Sequence, residues 1–171
     1  MAIYRFFQFL MVVFILQACQ NSSEISSIDP VNWNNRLINI DLNDSSEIAS
    51  SYLSVYSRIY SQTEHKTHSL TSTISMRNTN RNDSIYILKA EYFDTRGNLI
   101  RTYFDKAIYI APMETVEIVI DETDQEGGTG ANFIFDWLVE PDKNEPFFEG
   151  IMISTSGQQG LSFTTQAKRV N

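Results

Sequence analysis

One cysteine, two histidines and a shortage of positive charge set the first bounds on this 171-residue sequence. Cys19 stands alone, so no disulfide can close within the chain. His65 and His68 lie three positions apart, and on a strand such positions point to opposite faces. They make a poor chelate, and the third and fourth ligands that zinc needs are missing. No G-x-S-x-G stretch offers a nucleophile elbow. Thirteen lysines and arginines face 21 aspartates and glutamates. That balance repels phosphate backbones and excludes nucleic-acid binding. No apolar run is long enough to cross a hydrocarbon core of about 30 Å as a helix. Past residue 52 no segment sustains a 3.6-residue period, which argues against amphipathic helices.

What is present begins with the leader. Residues 1–18 read as a secretory signal peptide, with Arg5 as the positive charge, an apolar stretch from Phe6 to Leu16 broken only by Gln8, and a polar flank after it. The leader ends in Leu16-Gln17-Ala18-Cys19, which resembles the lipobox of bacterial lipoprotein signals. The resemblance implies cleavage before Cys19 and a diacylglycerol on its sulfur, usually with an N-acyl group. Each buried CH₂ of an acyl chain contributes about 0.8 kcal/mol, and stable anchoring takes more than one chain. The chain is therefore expected to be a lipoprotein of the cell envelope, with the membrane as its first partner. Gln20, where an aspartate often signals inner-membrane retention, points to the outer membrane. Cleavage removes Arg5 and no acid, so 12 bases then face 21 acids, a net charge of −9.

Residues 19–51 read as the lipidated cysteine and a polar tether. Gln20 to Ser51 holds eight serines and six asparagines, a composition that favours extended chain. Trp33 interrupts it, and the run from Arg36 to Leu42 either docks on the domain or adds a strand.

From Tyr52 the apolar period changes to two. Leu53, Val55 and the Ile59 region begin a first strand; Leu70, Ile74 and Met76 follow. Ile85 to Phe93 is a continuous run of β-formers closed by Asp94-Thr95-Arg96-Gly97-Asn98, a turn in which Asp bonds nearby backbone and Gly takes positive φ. Further runs cover Leu99–Phe104, Ala107–Ile110, Val116–Ile120, Phe133–Val139, Phe147–Thr155 and Leu161–Thr165. About eight or nine strands with turn signals every eight to twelve residues predict one all-β domain over residues 52–171. An antiparallel β-sandwich of immunoglobulin or fibronectin type is the expected architecture, with a barrel as the other closure.

Several of these segments carry a resemblance. They are Val55-Tyr56-Ser57-Arg58-Ile59-Tyr60, Ser75-Met76-Arg77-Asn78-Thr79, Tyr92-Phe93-Asp94-Thr95-Arg96-Gly97 and Ala111-Pro112-Met113-Glu114-Thr115, then Gly127-Gly128-Thr129-Gly130-Ala131-Asn132-Phe133 and Gln159-Gly160-Leu161-Ser162-Phe163. Together they resemble the bacterial secreted proteins of domain-of-unknown-function family 3124, over roughly residues 52–170. The glycine block is the most specific piece. The family implies an envelope location and supplies no activity, substrate or catalytic residue.

Two constellations remain. Gly127, Gly128, Gly130 and Asn132 form the candidate binding loop, but it runs into a strand and no Lys-Ser/Thr pair follows. A phosphate cradle is therefore excluded, in favour of a tight turn with glycines at positive φ. Asp121 and Asp124, with Asn132, could supply a weak Ca²⁺ site, although the order of an EF-hand loop is absent. No other cofactor is expected. Between Glu114 and Glu149 lie eleven acids and one base, Lys143. They read either as a solvated acidic surface or as a face for divalent cations or a basic partner. The tyrosines at 56, 60, 86, 92, 103 and 109 could line a groove, and their spacing first suggests cross-strand pairs. The leading expectation is a non-catalytic binding or scaffolding module that meets an envelope protein or polysaccharide. The alternative is a hydrolase of envelope glycans or lipids working through paired carboxylates; a structural lipoprotein with no ligand is the third.

Overall fold

Alternating burial along the chain is what builds the core. In the computed structural model, which describes residues 31–42, 47–155 and 160–171, the strands that form the core bury alternate side chains over most of their length. The residues read as signal peptide, Cys19, and residues 20–30 and 43–46 of the expected tether lie outside the described residues. The strands are β1 (Ile48–Val55), β2 (Arg58–Ser61), β3 (Thr63–Ser69), β4 (Thr71–Arg77), β5 (Ile85–Phe93) and β6 (Leu99–Phe104). They continue with β7 (Ile108–Ile110), β8 (Thr115–Ile120), β9 (Ala131–Leu138), β10 (Phe147–Ser154), β11 (Leu161–Gln166) and β12 (Lys168–Arg169).

Two antiparallel sheets stack without closing into a barrel. One has the order β12-β1-β9-β5-β6, with β7 beside the first part of β5; the other has the order β11-β10-β4-β8. A separate ribbon pairs β2 with β3. The twelve strands exceed the expected eight or nine because the first predicted strand splits at Tyr56-Ser57, the polar segment Thr63–Ser69 forms a strand of its own, and a two-residue strand, β12, lies near the end of the chain. The sandwich expectation holds, and the first strand starts at Ile48, earlier than Tyr52.

Strand β9 is the centre of the packing. Ala131, Phe133, Phe135 and Trp137 all point inward from it, and each is almost wholly buried. Phe135 stacks on Phe148 of the opposite sheet, with ring centroids 4.3 Å apart and planes 3° from parallel. Phe133 stacks on Phe135 at 5.4 Å and on Tyr92 at 4.8 Å, so one aromatic column ties both sheets together. Such pairs contribute about 0.5–1.5 kcal/mol beyond the area they bury. The indole N–H of Trp137 donates to Ser51 Oγ at 3.0 Å, which satisfies a polar group that burial would otherwise penalise.

Strand β5 keeps its apolar face inward only because it carries a bulge. Ile87 pairs with Trp137 and Lys89 with Asp136, so Leu88 is the extra residue. The slip lets Ile85 and Ile87 on one side, and Ala90 and Tyr92 on the other, face the same core.

The described residues just before the sandwich, expected to belong to a tether, dock on it. Trp33 is buried in a 3₁₀ turn (Trp33–Arg36) and packs on Phe104 with ring centroids 4.7 Å apart. Leu37 bridges to Ile108, and the Ile38 N–H donates to Ala107 O at 3.0 Å. The Arg36 guanidinium grips both oxygens of Glu114, at 2.7 and 3.0 Å. That grip holds the Glu114 carboxyl below its ordinary value of 4.5. A carboxyl depressed on folding stabilises above its unfolded value, and the contribution disappears as pH falls through the folded value. Glu114→Gln is therefore expected to cost on the order of 1 kcal/mol at pH 7 and less at pH 3. Urea unfolding of both proteins at the two pH values checks this; a difference that does not shrink in acid refutes the clamp.

Candidate functional site

The site is built where three distant segments meet at one end of the sandwich. After β1 the chain breaks at Tyr56-Ser57 and sends out the β2–β3 ribbon, whose tip turns at Gln62 with φ of 64°. The root of the ribbon is pinned: the Leu70 N–H donates to Ser57 O at 2.8 Å, and the Arg58 N–H donates to Gly128 O at 3.3 Å. The second segment is the β5–β6 turn. There Asp94 accepts from the Arg96 and Asn98 N–H groups, both at 2.8 Å, and from the Asn98 amide at 2.9 Å, while Gly97 takes a φ of 81°. These donors, the Asn98 amide first, hold the Asp94 carboxyl below the usual carboxylate range.

The glycine loop is the third segment, and Thr95 staples it to the turn. Thr95 Oγ1 donates to Gly127 O and accepts from the Gly130 N–H, both at 3.0 Å. Gly128 has a φ of 75°, the left-handed region that favours glycine. Gly127 is needed for a different reason. A Cβ there would stand 1.9 Å from Tyr92 Oη and 2.7 Å from Ser57 Oγ. Those two hydroxyls bond each other at 2.9 Å in the interior. Burial pushes the Tyr92 phenol well above its ordinary value, so it stays neutral.

The segments enclose an open cleft of about 580 Å³. Its lining is polar: Arg58, Tyr60 and Thr67 come from the ribbon, Thr95 and Arg96 from the turn, and Gly127 to Thr129 from the loop. Three carboxylates border it, and two are engaged inside the protein. Glu126 pairs with Arg101 at 3.1 Å, and Asp94 caps its own turn. Glu64 faces solvent beside His65, 3.5 Å away.

Of the loop residues expected to bind, Gly127 and Gly128 line this cleft. Gly130 lies under Thr95. Asn132 does not belong with them: it sits inside β9, paired with Ser54 and Phe93 on neighbouring strands. The calcium expectation meets a competing use of its ligands. Asp124 is buried and holds Arg101 at 3.3 Å, and Asp121 Oδ1 accepts from the Thr123 N–H and hydroxyl at 2.8 Å. Among the described residues, no three His, Cys, Asp or Glu side chains form a group that could hold a metal ion. The acids between Glu114 and Glu149 do not make one bare acidic face either. Arg36, Arg77, Arg101 and Arg169 come from outside that stretch to pair with Glu114, Glu149, Asp124 and Glu145.

Sequence reasoning missed the cleft itself. Its cations come from Arg58 and Arg96, 38 positions apart, and only the Gly127–Thr129 signal hinted at the place. It also missed the buried asparagines at the other end. Asn78 donates to Asp83 O at 2.7 Å and to Ile110 O at 3.0 Å, and accepts from Asn80 at 2.9 Å, locking three loops together.

The stacked antiparallel sheets define a β-sandwich domain with a polar cleft at one end. Residues 48–170 match the model of the family described as Protein of unknown function (DUF3124), and the chain belongs to that family. The match begins at the first residue of β1 and covers both sheets, the ribbon and the cleft. No curated protein and no solved structure matches the chain.

Proposed function

We propose that the protein is a lipid-anchored, non-catalytic binding module of the bacterial cell envelope. Acyl chains on Cys19 hold it at a membrane, the outer membrane in preference to the inner, and the end cleft receives an envelope polysaccharide or protein. The observation that carries the binding reading is the cleft of about 580 Å³ between ribbon, turn and glycine loop. That volume lies within the range of small-ligand sites, roughly 300–1,000 Å³.

The hydrolase reading needs one carboxyl held protonated as a general acid, facing a second, ionised one. At the cleft, Asp94 is shifted the opposite way by its three donors, and Glu126 is held by Arg101. Both arrangements favour binding over bond cleavage.

Two measurements test the proposal. Metabolic labelling with a clickable fatty acid is expected to mark the wild-type protein and leave Cys19→Ser unmarked; an unmarked wild type refutes the anchor. Co-sedimentation of the full chain with isolated envelope polysaccharide or envelope protein is expected to be lost in Thr129→Trp, which fills the cleft. Ile153→Trp, on an exposed position of β10 away from the cleft, is expected to retain it. Equal sedimentation of all three proteins would remove the cleft from the function. Release of soluble fragments from the envelope would turn the reading to hydrolysis.

A further inference from the structure

Arginine side chains separate into two groups by what they touch. Among the described residues, Arg36, Arg77, Arg101 and Arg169 each lie within 4.0 Å of a carboxylate. Arg58, Arg81 and Arg96 form no ion pair there, and two of these three, Arg58 and Arg96, line the same cleft. Arg58 is the more unusual. Its Nε is shut off from solvent and has no hydrogen-bond acceptor. A buried, charged donor without an acceptor is unfavourable, and the guanidinium it belongs to lines the cleft, where an oxyanion would bond its terminal N–H groups.

The cleft carries both signs of charge: Arg58 and Arg96 share its lining with Glu64, Asp94 and Glu126. The chain as a whole has a net charge of −8. Within the cleft, Glu126 and Asp94 are already bonded internally, as described above, and Glu64 has a side chain 83% exposed beside His65. Arg58 and Arg96 are thus the two cations of the lining that form no ion pair among the described residues, while Asp94, bonded by neutral amides, keeps its charge near Arg96. The remaining lining suits hydroxyl groups: Thr67 and Thr129 offer side-chain oxygens, and Tyr60, 61% exposed, offers a ring face at the rim. An apolar ligand would find little surface here, and a bare ion would leave most of about 580 Å³ empty.

We propose that the cleft binds an anionic saccharide, its carboxylate or phosphate oxyanion gripped by Arg58 and Arg96 and its ring hydroxyls meeting Thr67, Thr129 and Tyr60. This deepens the binding reading and rests on it. Arg58 reaches the oxyanion by its fork of N–H groups, which fits both carboxylate and phosphate geometry. Arg96, carried on a turn that Asp94 and Gly97 fix, closes from the other wall.

Isothermal titration of the full chain in detergent tests this with four probes: trigalacturonic acid, glucose 6-phosphate, maltotriose and inorganic phosphate. One of the two anionic sugars is expected to bind at least tenfold more tightly than maltotriose and inorganic phosphate. Which one binds identifies the oxyanion as carboxylate or phosphate. Arg58→Gln and Arg96→Gln are each expected to weaken that binding tenfold or more, and Arg81→Gln to leave it unchanged. Should Arg58→Gln fail to fold, Arg96→Gln carries the test alone, since its side chain lies in an exposed turn. Maltotriose binding as tightly as the anionic sugars overturns the charge argument. Inorganic phosphate binding as tightly as either anionic sugar overturns the saccharide. If no probe binds while envelope co-sedimentation still depends on Thr129, the saccharide inference falls and the binding module stands. If neither occurs, both fall.

Discussion

Gly127→Ala is expected to destabilise the domain by about 3 kcal/mol, at the upper end of what overpacking costs. The new Cβ would fall 1.9 Å from Tyr92 Oη and 2.8 Å from the Ala131 Cβ. A clash with the end of a side chain is often relieved by rotation. That route is closed here, because Tyr92 is 0% exposed and stacked on Phe133. Either the loop moves, and Thr95 loses Gly127 O, or the tyrosine is expelled from the core. Urea unfolding reads the loss as a lower midpoint at unchanged slope. Gly160→Ala is the control, since nothing lies within 4 Å of a Cβ there and its backbone is not left-handed. Adding Tyr92→Phe to Gly127→Ala removes the closest atom, and the double variant is expected to recover part of the stability. A strictly additive double variant would mean that the two positions do not press on each other.

Phe135→Ala is expected to cost about 3–5 kcal/mol, the range for deleting a buried aromatic ring. Phe135 is 0% exposed and lies between Phe133 of its own strand and Phe148 of the facing sheet. Its removal leaves a void at the junction of the two sheets, where neither backbone can collapse without disturbing its own ladder. Phe135→Leu keeps most of the volume and should cost less than half as much. Thermal or urea unfolding distinguishes the two; equal losses would show that the stacked geometry, not the filled space, is what matters.

The parts of this fold that were legible in the sequence are those decided by alternation along a single strand. Phe133, Phe135 and Trp137 announce the inward face of β9, and Asp94 to Asn98 announces its turn. The elements that were not legible depend on partners far along the chain. The opening of β1 has the sequence Ile48-Ala49-Ser50-Ser51, which looks like linker. Ala49 and Ser51 nevertheless face the core, because Ala49 pairs with Trp137 and Ser51 accepts from its indole. The bulge at Leu88 follows from the register with β9 and leaves no mark in the local composition. At the site, the Gly127–Gly128 pair reads as a turn from any sequence. Why position 127 tolerates nothing larger depends on a phenol 35 residues away. Arg58 and Arg96 look like ordinary surface cations until the ribbon folds over and brings both into one cleft, neither in an ion pair among the described residues.

The docking of Trp33 fixes how the domain would hang from a membrane. Trp33 packs on Phe104, at the far end of β6 from the Asp94–Asn98 turn that borders the cleft. Five residue steps along β6 separate the two ends by about 17 Å. With the proposed lipid on Cys19, twelve residue steps would separate the acylated position from Val31, a span of at most about 40 Å. Under that proposed anchor the Trp33 end of the sandwich would face the bilayer, and the cleft lies toward the other end of β6. Such a molecule would sample only the zone within one taut leash and one domain length of the bilayer, with its binding end turned outward.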